Sequence, residues 1–384
     1  MSRLVAFVAA LLVFFSARVA AADVSLYTIG PGDYLFARYG HSLVCVDAKC
    51  FDYGIPDRDD AVHMSWASIR GEPIFVAVAV DEAVAVKAFR DQGRGIERQM
   101  LPLSADESAK LRERLERDVA LRAAYAYHPY YANCTTQLRD RLDDATSGRL
   151  RAGKIATQPV RFRDLSEEGL SGRALELTAL AFTLGGPAER TPTPWEAMFL
   201  PEGLRDGVAE RFGAAPEKVE APQRIVLPTS RAVGRLILVA IAIALSGFVR
   251  WTSREKKRAR LGLIAAAVVL GVMALFADGV AALVVWPEFR RNWALAALLP
   301  TDLAMPWLPP RILRAYAYAR AALAAVLAVL EIVGVIEQPL LHVCVLVAMP
   351  MMAIASVARG FEVARDRSFS ARATPLGEAS ARDR

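Results

Sequence analysis

The chain has 384 residues, 54% of them hydrophobic, with a formal net charge of +6 and only four cysteines and four histidines. Its mean hydropathy is positive and its pI basic. Both come from long apolar segments joined by short basic loops. They say nothing of nucleic acid, and with no basic stripe interleaved with aromatics no nucleic-acid partner is expected.

The chain opens Met1-Ser2-Arg3, runs apolar over residues 4–15, and reaches Ala20-Ala21-Ala22 before Asp23. A short positive start, an apolar core and a small-residue cleavage site describe a secretory signal peptide over residues 1–22; an uncleaved first anchor is the other reading. Either way, the segment from Asp23 is exported. Residues 23–225 are enough for one domain with its own core. Within it, residues 42–46 and 50–53 predict a β-hairpin, and 74–80 a further strand. Residues 105–118 and 134–142 carry helical spacing. Prolines 187, 192, 194, 201, 216, 222 and 228 then predict mostly connecting structure. The class is α+β.

Residues 233–249 and 261–286, and 321–358 split near Glu337-Gln338-Pro339, predict about four membrane helices in a domain over 226–358, with a polar tail over 359–384. The loop 250–260 carries six Lys or Arg against one Glu, which places it in the cytoplasm and brings the first span in from the exported side. Four spans would return the Arg-rich tail to the outside, against the same rule; a re-entrant segment between Asn292 and Pro310 is one resolution. Asp278 and Glu331 interrupt the apolar spans, as functional or paired ionisable groups do.

The exported cysteines are Cys45, Cys50 and Cys134. Cys45 and Cys50 flank the hairpin turn and predict a disulfide in an oxidising compartment. Cys134 is left over, either as a catalytic thiol or as a buried structural cysteine. Asn133 is a favoured N-cap, so Cys134 takes the first helical position. There the helix dipole and free N–H groups lower a thiol pKa and offer an oxyanion donor. If Cys45 faces Cys50, the register sets His41 opposite Gly54, and alternation puts His41 and Asp52 on one face, as a base and its orienting carboxylate. Asp52 as a solvated strand residue is the alternative. His63 and His128 are weaker candidates for the base, although His128 is placed to line the site. No metal-ligand spacing, phosphate-cradling loop or Gly-x-Ser-x-Gly elbow is present, so neither a metal nor a cofactor is expected.

The order His41, Asp52, then Asn133-Cys134 at a helix start resembles the permuted papain-like superfamily that includes the lecithin:retinol acyltransferases. More closely, the chain resembles the Lnb-type family, in which an exported papain-like domain precedes an α-helical membrane bundle. The matching stretches are Tyr39-Gly-His-Ser42, Phe51-Asp-Tyr-Gly54, Gly93-Arg94 with Gln99-Met-Leu101, Tyr125-Ala-Tyr127, Asn133-Cys-Thr-Thr-Gln-Leu-Arg-Asp140, and Thr193-Pro-Trp-Glu-Ala-Met-Phe-Leu-Pro201. Asn292-Trp-Ala-Leu with Pro300 resembles the family's periplasmic loop. One departure is Asp52, where relatives often have Asn.

The resemblance implies a multi-pass protein of the bacterial inner membrane with its N-terminal domain in the periplasm. It implies a thiol acyltransferase that moves a lipid-borne acyl chain to an amine, a lipoprotein N-terminus above all. Its partners would be a phospholipid and a lipoprotein. Cys134, His41 and Asp52 are the expected catalytic residues, and Asn133, Tyr127 and Asn292 the expected substrate-binding ones, with the Asn292 loop closing a lipid-accessible cavity around Cys134. A cell-wall peptidase or amidase of the same superfamily, a lipid thioesterase or phospholipase, and a non-enzymatic assembly module are the rival readings.

Overall fold

The computed structural model describes residues 22–34, 36–58, 60–152, 160–223, 230–255 and 258–372. The expected signal peptide, apart from Ala22, and the end of the polar tail lie outside the described residues. The chain divides into two compact units.

The first unit holds a seven-stranded antiparallel sheet in the order β6-β4-β3-β2-β1-β5-β7. The strands are β1 (Val24–Ile29), β2 (His41–Val46), β3 (Lys49–Pro56), β4 (Ile74–Asp81), β5 (Ile96–Met100), β6 (Ala124–Ala126) and β7 (Glu217–Glu220). The class is α+β, as expected. Side chains alternate between two covered faces. Leu26, Val44, Val46, Phe51 and Tyr53 pack with Leu111 and Leu115 of helix Ala105–Ala120, Leu138 and Leu142 of helix Cys134–Ala145, and Leu204 and Val208 of helix Pro201–Phe212. On the other face, Tyr27, Ile29, Leu43 and Ile96 pack with Ala85, Val86 and Phe89 of helix Glu82–Asp91. Both faces being covered explains why every residue of β1 is buried.

The predicted hairpin is β2–β3, and Cys45 pairs with Cys50 in its ladder and is bonded to it as a disulfide. The turn places Asp47 and Ala48 at φ +48° and +63°, the twist that a two-residue hairpin turn demands. The proline-rich stretch holds more structure than expected. Helix Pro201–Phe212 starts with Pro201 in its first turn, where a missing N–H costs nothing, and ends on left-handed Gly213.

The second unit, Ile69–Gly71, Arg161–Thr191 and Val226–Arg384, holds four helices long and apolar enough to cross a membrane: Val233–Thr252, Ala259–Leu283, Pro310–Ile332 and Leu341–Arg359. The last helix runs on to Arg372, so the polar tail begins helical. Between the second and third, a 3-10 segment, Pro300–Trp307, lays Leu303 onto Gly271, midway along Ala259–Leu283. A side chain at position 271 would collide with Leu303.

Two polar knots lock this unit. Asp302 and Arg320, 0% and 3% exposed, form a bidentate pair at 2.9 Å; Arg320 also donates to the Ala297 carbonyl, and Tyr316 donates to Asp302. Asn292 donates to the carbonyls of Phe182 and Thr183 and accepts from Ala294 N–H and Gln338. The flagged Glu331 accepts from the Leu340 N–H.

A lone charge in such an interior is far costlier than a pair. Asp302→Ala should therefore cost about 3–5 kcal/mol, read as a large fall in melting temperature of the detergent-solubilised protein. Replacing both partners by leucine should cost less than the single change; a single-variant loss no larger than the double would contradict the pairing.

Candidate active site

Cys134 begins helix Cys134–Ala145 because Asn133 caps it: the Asn133 side chain accepts from Thr136 N–H at 2.9 Å, and Thr136 Oγ1 accepts from Asn133 N–H at 2.8 Å. The cap is clamped in turn. Asn133 Nδ2 donates to the carbonyls of Pro129 and Phe199 at 2.9 and 3.0 Å, and the Arg139 guanidinium lies 4.0 Å from the Trp195 ring centroid while donating to that residue's carbonyl. The N–H groups of the first helical turn have no acceptor within the helix beyond what a cap supplies, so they and the dipole favour negative charge at the Cys134 sulfur.

His41 opens β2 directly after Gly40, which sits at φ +83° with the Ile29 carbonyl 2.7 Å from where a Cβ would be. Its Nδ1 lies 3.1 Å from Cys134 Sγ and its Nε2 2.9 Å from Asp52 Oδ1. The recorded β2–β3 pairs run from Val46↔Lys49 to Val44↔Phe51. The His41 ring lies against Gly54, the residue that the expected register set opposite it, while on its other edge β3 shifts register against β4 between Asp52 and Ile55. Gly54 makes room: a Cβ there would lie 2.5 Å from the His41 ring, and its N–H donates to Asp52 Oδ1 at 2.6 Å. Ser42 and Thr135, neighbours of the base and the thiol, join at 3.2 Å in a fully buried contact that ties strand to helix.

The charges agree with this geometry. Burial opposes ionisation of all three groups, but their mutual attraction outweighs it. Asp52 and Cys134 hold His41 well above the ordinary imidazole value; His41 holds the Cys134 thiol and the Asp52 carboxyl below theirs. These directions favour a thiolate–imidazolium pair, in which Nδ1–H would donate to sulfur and Nε2–H to the carboxylate.

The structure brings His41, Asp52 and Cys134 together. Tyr127 is beside them: burial first, and then the Cys134 charge, push its hydroxyl far above the ordinary phenol value. Asn133 spends its side chain on the cap. Asn292 belongs to the second unit, where its amide is fully engaged. His63 is exposed on helix Ala61–Arg70, and His128 Nδ1 accepts from Tyr130 N–H in the turn leading to the cap. Sequence reasoning missed Arg94, which is 5% exposed and interacts electrostatically with Cys134 and Asp52. Its signal was an arginine directly after a glycine, ahead of a strand. Among the described residues no cluster of His, Cys, Asp and Glu is arranged to hold a metal.

Cys134 is partly exposed and unpaired, whereas Cys45 and Cys50 are bonded. Iodoacetamide should therefore label Cys134 in native protein, and the other two only after reduction. Because the folded thiol value is lowered, the thiolate is present above that value and lost as pH falls through it. Alkylation should therefore persist to lower pH than for an ordinary thiol, whose rate drops below about pH 8.5. Gly54→Ala should displace the imidazole and return the profile toward the ordinary one; an unchanged profile would detach His41 from the thiol.

No curated protein and no solved structure matches the chain. Residues 14–168, which contain His41, Asp52, Arg94 and Cys134, match the family model described as the Lnb N-terminal periplasmic domain. That match supports an Lnb-type reading of the first unit, and the second unit carries four helices long and apolar enough to cross a membrane.

Proposed function

We propose that this protein is a multi-pass bacterial inner-membrane acyltransferase with its N-terminal domain in the periplasm, and that this domain is a permuted papain-like fold. It moves an acyl chain from a phospholipid ester to an amine, a lipoprotein N-terminus above all, through a thioester on Cys134. The observation that carries the reading is the 3.1 Å contact between Cys134 Sγ and His41 Nδ1 at a helix N-terminus. The family match and the four apolar helices supply the membrane setting, where ester-linked acyl chains reside.

The chemistry follows from the groups present. The Cys134 thiolate attacks the ester carbonyl carbon, and the oxyanion that forms is held by N–H groups at the start of the helix. The carbonyl carbon–oxygen bond to glycerol then breaks, and His41 Nδ1–H protonates the leaving alkoxide, releasing a lysophospholipid. The thioester waits on a neutral His41. An incoming amine attacks its carbonyl, His41 Nδ1 takes the amine proton, the carbon–sulfur bond breaks, and the thiolate–imidazolium pair is restored. Asp52 keeps Nδ1 aimed at sulfur by holding Nε2. Tyr127 shapes the side of the pocket nearest the thiol, and Asn133 sets the helix start. No step requires a metal or an organic cofactor.

Mass spectrometry of lipoprotein N-termini and of lysophospholipids, with and without Cys134→Ala, tests this directly. N-acylated termini and lysophospholipid should disappear together in the variant. Loss of lysophospholipid alone would make water the acceptor and the protein a phospholipase; loss of neither, with cell-wall fragments changed instead, would favour the peptidase. Asp52→Asn should retain much of the activity, since an amide oxygen also accepts from Nε2–H, whereas Asp52→Ala should lose more, on the order of the 10²–10⁴-fold associated with general acid–base catalysis. Equal rates for Asp52→Ala and wild type would remove Asp52 from the site.

A further inference from the structure

Arg94 is a buried cation that the reaction steps above leave unused. Gly93, at φ +69°, turns the chain after helix Glu82–Asp91 and lets Arg94 fold back against it. Its Nε donates to the Gly30 carbonyl at 2.8 Å, and its guanidinium carbon sits 5.0 Å from the Phe89 ring centroid. The same Phe89 ring lies 5.7 Å from the His41 ring, so the base and the guanidinium share one phenyl neighbour. Arg94 Nη2 is buried and has no partner among the described residues. Arg94 is 5% exposed, so its charge is balanced within the fold, and the groups that act on it are Cys134 and Asp52.

Counting charges shows what it is for. In the resting state the thiolate, the Asp52 carboxylate and the imidazolium sum to minus one, and a net charge in a buried cluster is costly. Arg94 brings the sum to zero. Once the sulfur carries an acyl group its charge is gone. With Arg94 in place, carboxylate and guanidinium already balance, so a protonated His41 would be the surplus charge. Without Arg94, the carboxylate would hold the imidazolium in place.

We propose that Arg94 is a positioning residue that, by its fixed charge, keeps Cys134 ionised in the free protein and releases the proton of His41 once the thioester has formed, readying His41 as the base for the amine. The inference rests on the thioester reading above. Burial lowers Arg94 to about 10 while Cys134 and Asp52 hold it up, so it is charged throughout the working range. The other groups facing the pair do not substitute for it. Tyr125 and Tyr127 ionise far above neutral pH, Thr135 Oγ1 is uncharged at 3.8 Å from the sulfur, and Arg38 donates to the Gly32 carbonyl and acts on Tyr39.

The test uses full-length protein in detergent and two readouts: the pH profile of Cys134 alkylation by iodoacetamide, and the pH profile of deacylation after a burst with a medium-chain p-nitrophenyl ester, with glycinamide as acceptor. Arg94→Gln, and the isosteric apolar Arg94→Met should the glutamine not fold, should move the acid limb of alkylation up by about one pH unit. Either should move the deacylation limb up by a similar amount, about a tenfold loss of deacylation rate at neutral pH, with burst amplitude retained. Arg94→Lys should restore both profiles. Profiles of a folded neutral variant that superpose on wild type would overturn the proposal. Failure of both neutral variants to fold leaves the wild-type profiles to decide: a deacylation limb well above the ordinary imidazole value would overturn it equally. A wild type with no burst and an ordinary thiol profile would instead overturn the thioester reading itself.

Discussion

His41 is held at both ring nitrogens, by a thiol at 3.1 Å and by a carboxylate oxygen at 2.9 Å, and much of the first unit is arranged around keeping it so. The three groups come from three separate elements. β2 starts on His41 only because Gly40 can take a left-handed turn under the Ile29 carbonyl; β3 leaves space for the ring only because residue 54 has no side chain; and the helix starts on Cys134 only because Asn133 closes both halves of its cap. None of these is a contact with a reacting atom. Each fixes a direction, and the Ser42–Thr135 contact holds the strand and helix directions together.

Much of this site could be read from local sequence because it is built from local rules. Alternation along a hairpin put His41 and Asp52 on one face, the spacing of Cys45 and Cys50 set the register, and the Asn-Cys order located the helix start. What the hairpin alone did not show was that β3 shifts register against β4 after Asp52. Arg94 stayed hidden for a different reason. Its place depends on the sheet order, in which β5 crosses to pair with β1, so that the turn before β5 returns to Gly30 and to the far side of Phe89. No periodicity within residues 82–100 encodes that return. β1 was obscured by the apolar leader it follows and, being buried on both faces, has no polar face to mark it as a strand.

The second unit shows the same division. Length and apolarity identified its four long helices, since a helix in a bilayer must satisfy its own backbone. The polar groups inside it were less legible. Asn292 reads as a loop residue in sequence, yet its amide bonds carbonyls 110 and 109 residues earlier and a glutamine 46 residues later. Arg320 lies within an apolar helix, and its partner Asp302 within a 3-10 segment, so neither is half of a recognisable pair until the segment turns back.

Two of the buried arginines, Arg94 and Arg320, make opposite uses of the same physics. Arg320 meets its carboxylate through two parallel hydrogen bonds, the geometry in which a guanidinium in a low-dielectric interior is neutralised and its position fixed. Such a pair has one stable charge state and serves structure. Arg94 has no carboxylate bonded to it and interacts with Cys134 and Asp52 instead, groups whose charge would change in the proposed reaction. A partner bonded directly to Arg94 would fix the local charge and leave His41 indifferent to the state of the sulfur. Under the thioester proposal, the absence of a carboxylate bonded directly to Arg94 is what would couple the base to the acylation state of the thiol, whereas at Arg320 the bidentate carboxylate fixes the local charge.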